Sequence, residues 1–159
     1  EFVNHITEKI QSYPGVIGVH DLMIHDYGPG NLFATVHVEF PAETPVIEAH
    51  EVMDEIERDF QEQEHMILTI HYDPIVEENA EVAEIRAFVS KAAKEFDERL
   101  SIHEVRLVPG NESSNVIFDC VKPAGFKSSD GEISSYLQKR VAEWNPRYRC
   151  VIKVEQSYV

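Results

Sequence analysis

Four histidines and one aspartate in the first half of the chain, His20, His37, His50, His71 and Asp73, are side chains of the types that hold zinc and similar divalent ions. His71-Tyr72-Asp73 has the i, i+2 spacing that points two side chains to one face of a strand. His37 falls on another strand and on the same side. His20 stands at the start of a strand, where alternation alone does not fix its face. His50 lies on the flank of a helix, one residue past the core position Ala49. Helix and sheet-face residues of this kind converge only near the edge of a sheet or across a subunit contact. His5, His25 and His65 read as partly solvated surface residues.

The elements that must position these residues follow from hydrophobic periodicity. Phe2, Ile6, Ile10 and Tyr13 predict a helix, which Pro14-Gly15 ends. Val16–Asp26 reads as a strand and Gly28-Pro29-Gly30-Asn31 as a turn. In Leu32–Phe40, Leu32, Ala34, Val36, Val38 and Phe40 alternate with Phe33, Thr35, His37 and Glu39. Thr44 and Pro45 predict an N-cap and first helical position. The helix then runs to about Gln61, burying Val46, Ala49, Val52, Met53, Ile56 and Phe60. Met66–Tyr72 reads as a third strand. Its Leu68 and Ile70 point inward, and Thr69, His71 and Asp73 outward.

Residues 81–159 repeat the order helix, strand, strand, helix, strand. Ser129 and Glu132 form a capping-box signature, and Asn145-Pro146 stops that helix. The halves also correspond in sequence. Gly18-Val19-His20-Asp21-Leu22 matches Ser101-Ile102-His103-Glu104-Val105, and His37 through Ala42 matches Asp119 through Ala124. An internal duplication accounts for this. The predicted class is α+β: two tandem ferredoxin-like open-faced sandwiches, residues 1–76 and 77–159, with a linker over Asp73–Glu81. A three-stranded sheet with one bare face is marginal at this size, so that face is expected to pack on the other half or on a second subunit.

Composition narrows the function. The 159 residues are 43% apolar and 27% charged, a globular profile. No apolar run approaches membrane-helix length, and no signal-peptide pattern opens the chain. It starts at Glu1 rather than methionine, as expected of a fragment or a processed form. Of the net charge of −15, all lies in residues 1–80, which hold Lys9 and Arg58 against 17 acidic residues. Residues 81–159 carry 12 of each sign. Such an acidic half argues against nucleic acid and anionic lipid and favours cations. Cys120 and Cys150 are too few for a disulfide framework and read as reduced core residues.

Taken as a set, Gly18 through Leu22, Tyr27 through Gly30, Val36 through Glu39, Glu48-Ala49-His50 and Ile70 through Pro74 resemble the cytoplasmic C-terminal domain of the cation diffusion facilitator family. The resemblance covers about residues 1–76. It implies the cytosolic regulatory and dimerisation module of a divalent-cation, above all zinc, efflux transporter. Its transmembrane domain would lie outside this chain, and the module would sit on the cytoplasmic face of the membrane. It implies a homodimer and a metal set of His20, His37, His50, His71 and Asp73. In the second copy, His103 aligns with His20, Asp119 with His37, Glu155 with His71 and Ser157 with Asp73. That copy is expected to have lost most ligands.

Two other readings remain. A hydrolytic zinc centre would need an open coordination position and a general base in a cleft. Glu39 is on the right face, but no nucleophile motif or pocket accompanies it, so the chain is read as a non-enzyme. The alternative is a metal-independent ferredoxin-like module for assembly or small-molecule sensing.

Overall fold

In a computed structural model, which describes residues 2–157, the chain divides into two compact units, Glu1–Ile75 and Val76–Val159. The first contains α1 (Phe2–Gln11), β1 (Gly18–Asp26), β2 (Leu32–Pro41), α2 (Val46–Gln63) and β3 (Met66–Ile75). The second contains α3 (Ala80–Phe96), β4 (Ser101–Val108), β5 (Ser114–Lys122), α4 (Asp130–Trp144) and β6 (Tyr148–Gln156). Each unit is an α+β open-faced sandwich with the middle strand central, in the orders β1-β2-β3 and β4-β5-β6. The first pair of each sheet is antiparallel and the second parallel. A parallel pair needs a crossover, which α2 and α4 supply.

Alternation and helical spacing build the core of the first unit. Ile6 and Ile10 of α1 and Ala49, Ile56 and Phe60 of α2 pack on Ala34, Val36, Val38 and Phe40 of β2 and on Met66 and Leu68 of β3. Phe2 and Val46, expected inside, are 47% and 72% exposed; each is the first residue of its helix. Pro45, rather than Thr44, holds the N-cap of α2, without a side-chain cap bond. The Thr44 amide instead closes a turn onto the Pro41 carbonyl at 2.9 Å. At the β1–β2 turn, Gly28 and Gly30 have φ of 105° and 75°, which glycine adopts without steric penalty.

β3 runs on to Ile75, so Asp73 and Pro74 belong to the strand and not to a linker. β3 is an edge strand, where proline is tolerated. Val76 already pairs with Leu107 of the second unit, through amide bonds of 2.8 and 3.0 Å. There, the Asn79 side chain caps α3 and the Ser129–Glu132 capping box opens α4. Cys120 is buried and Cys150 half-buried, both unpaired; burial pushes their thiols up to about 11 and 12.

The two units share an irregularity that alternation does not reveal. Pairing slips by one residue between His20 and Met23, and again between His103 and Arg106. Within these bulges Asp21 and Glu104 take left-handed φ values of 50° and 52°. The shared bulge fixes the correspondence of the halves. The unbroken parallel registers then place His37 opposite His71 and Asp119 opposite Lys153. Lys153, not Glu155, therefore takes the place of His71. Glu155 takes that of Asp73, and Ser157 falls two positions beyond. The sequence alignment was out by two residues because β6 carries no motif to anchor it.

Candidate metal centre

The bulge in β1 determines the site. Strict alternation from Met23, which is opposite Thr35 on the open face, would put Asp21 opposite His37 and turn His20 toward the helices. The extra residue shifts the phase by one, so His20 stands opposite His37. A cross-strand row of imidazoles results: His20, His37 and His71, one from each strand. Ring centroids lie 4.7 Å apart for His20 and His37 and 4.3 Å for His37 and His71.

Behind the row lie two buried carboxylates, Asp73 at 3% exposure and Glu39 at 1%, paired across β2 and β3. A buried carboxylate is costly unless paired and hydrogen-bonded. His20 meets both: Nδ1 lies 2.8 Å from Glu39 Oε1, and Nε2 3.2 Å from Asp73 Oδ2. His37 Nδ1 is 3.0 Å from the same Asp73 oxygen. His71 Nε2 is 3.5 Å from Asp73 Oδ1. Burial works against charge on His20, but its hydrogen bonds to Asp73 and Glu39 outweigh that and raise its pKa to about 9. Burial also opposes ionisation of Asp73, yet bonding to His20 and His37 holds its carboxyl below the usual range. At neutral pH the centre thus holds an imidazolium beside the Asp73 carboxylate, with Glu39 bonded to its other nitrogen.

Three of the expected residues, His20, His37 and Asp73, offer ligand atoms all within 4.8 Å of one another. His71 adjoins them from the exposed edge of the row. His50 does not join: it is 67% exposed on α2, with Nδ1 3.7 Å from Asp54. The sequence reading set Glu39 on this face but gave it no part in the cluster. A signal for it exists in Gly18, its partner across β1 and β2. A Cβ on Gly18 would lie 2.6 Å from the Glu39 carboxylate, so glycine is what leaves room for the acid.

Beside the row opens a concavity of about 620 Å³, lined among others by Asp21, Met23, Thr35, His37, Thr69 and His71. Phe33 and Ile67, 41% and 50% exposed, extend the open face. No helix among the described residues is long and apolar enough to cross a membrane.

Residues 1–75 match the family model described as the cytoplasmic domain of cation efflux proteins. The cation-efflux pump FieF of Yersinia enterocolitica is 41% identical over 58 residues, 36% of this chain and 18% of that protein. FieF of Salmonella newport is 36% identical over 70 residues, 43% of this chain and 23% of the relative. The chain thus spans less than a quarter of the length of these relatives. Among solved structures, the transporter CzrB is 33% identical, with 46% of this chain and 92% of that one covered and a TM-score of 0.43. The metal-bound C-terminal domain of the CzcD transporter is 28% identical, with 45% and 96% covered and a TM-score of 0.38. Residues 1–75 are thus similar to the cytoplasmic domain of cation efflux proteins, and the second half repeats their fold.

Proposed function

We propose that the chain is the metal-sensing, dimerising module of a divalent-cation efflux transporter. The observation that carries this is the convergence of His20, His37 and the buried Asp73, with ligand atoms within 4.8 Å. Two imidazoles and a carboxylate suit zinc, the ion proposed here, and other borderline divalent metals. His20, His37 and Asp73 would hold the ion, with His71 beside them. Glu39 would accept from the remaining N–H of His20 and orient its ring. His50, remote from this cluster, is assigned to a contact with a second copy.

The role of the ion is charge neutralisation and cross-linking of three strands. Two acidic halves brought together repel at contact, where salt screens least. A divalent ion at each centre offsets that repulsion and favours the dimer by its differential affinity for that state. The transmembrane part of the transporter is assigned to chain outside this sequence, with the module on the cytoplasmic face. The chemistry proposed is binding and not catalysis. Thermal melting tests the reading. Zinc is expected to raise the Tm of the parent, and His71→Ala with Asp73→Ala is expected to remove most of that rise. Equal stabilisation of both would overturn the site, and no response to several divalent ions would favour a metal-independent assembly module.

A further inference from the structure

The second unit repeats the row of the first with different chemistry. His103, Asp119 and Lys153 stand at the register positions of His20, His37 and His71. Glu155 stands at that of Asp73. Val121, opposite Glu155, replaces Glu39, and Ser101, opposite Val121, replaces Gly18. The changes are mutually consistent. With no second buried acid, His103 turns to Ser101 Oγ at 2.9 Å. Burial raises the pKa of Asp119; the Lys153 ammonium, which pairs with Glu155 and stands opposite Asp119 across β5 and β6, works against that rise. Arg106, at the place of Met23, acts on Asp119 in the same sense, while Glu155 and Glu104 oppose it.

We infer that Lys153 is a built-in counter-cation that replaces the ion in the second unit and excludes divalent metal from its His103, Asp119 and Glu155 donors. An ammonium paired with Glu155 and set opposite Asp119 supplies positive charge, cannot act as a ligand while protonated, and repels a divalent ion at contact distance. One fold then occurs twice in the chain, once open to metal and once closed to it. The divalent-ion response is thereby confined to the first unit, whatever the free metal level. This rests on the metal reading of the first unit only for its regulatory meaning; the exclusion itself stands on the second unit alone.

The test uses the full chain with the first centre silenced by His37→Ala and Asp73→Ala, titrated with zinc in a calorimeter. With Lys153 intact, no His103-dependent binding is expected. Lys153→Met, which removes the charge at an exposed position, is expected to bind zinc at least tenfold more tightly than that background. Lys153→His is expected to add a full site of one ion per chain, and Lys153→Arg to gain nothing. The inference is overturned if the silenced chain binds zinc and loses it on His103→Ala. It is also overturned if Lys153→Met binds no more tightly than its background. An unsilenced parent that binds no zinc would sink the function proposed above, while the Lys153 comparisons would still decide this point.

Discussion

At the scale of single residues, the candidate centre is an ion pair in the absence of metal. His20, protonated and bonded to both Glu39 and Asp73, neutralises the buried Asp73 carboxylate. Its folded-state pKa of about 9 lies above the ordinary 6.5. Its contribution to stability is therefore complete below pH 6.5 and fades as pH rises through 9. Without metal, the first unit should lose up to about 3 kcal/mol over that window, and His20→Gln should flatten the loss; denaturant melts across the window measure this. Asp73 acts oppositely, contributing above its ordinary range and failing as acid titrates it. Because zinc needs neutral His20, binding should release a proton at neutral pH. Calorimetric enthalpies in buffers of different ionisation heat should differ accordingly; identical enthalpies would exclude His20 as a ligand. Gly18→Ala should drive a Cβ against Glu39 and cost roughly 1–3 kcal/mol, read from denaturant midpoints. The i, i+2 spacing of His71 and Asp73 was legible because it needs no tertiary information. The burial of Glu39 was not, since its partners His20 and Gly18 meet it only through the register of β1.

At the scale of elements, the sequence carried most of the architecture. Alternation in β2 and helical spacing in α2 gave the right faces, and the Ser129–Glu132 signature marked the start of α4 where the box is present. Ser129→Ala should therefore cost about 1 kcal/mol, measurable as a shift of the denaturant midpoint without change of slope. What escaped was the one-residue slip in β1. Asp21 gives no glycine to announce its left-handed φ of 50°, and a bulge is set by pairing with another strand. That slip decides which way His20 faces. Its recurrence at Glu104 shows that the duplication copied the irregularity along with the regular elements. The parallel register of β5 and β6 corrects the alignment of β6 and brings Lys153 to the position of His71.

At the scale of the whole molecule, the charge division between the halves corresponds to a chemical division between the two rows. The acidic half keeps three imidazoles and a buried acid pair on its open face. The balanced half sets Lys153 and Arg106 beside Asp119 and Glu155. The family match over residues 1–75 covers the first of these. The proposed module would respond to a divalent ion through one unit and should associate as the ion binds. The most direct measurement is a zinc titration of the full chain followed by calorimetry and sedimentation together, on the parent and on Asp73→Ala. The account predicts one ion bound by the first unit of each parent chain, a monomer-to-dimer shift that tracks occupancy, and loss of both in Asp73→Ala. Binding and association unchanged in Asp73→Ala would contradict it.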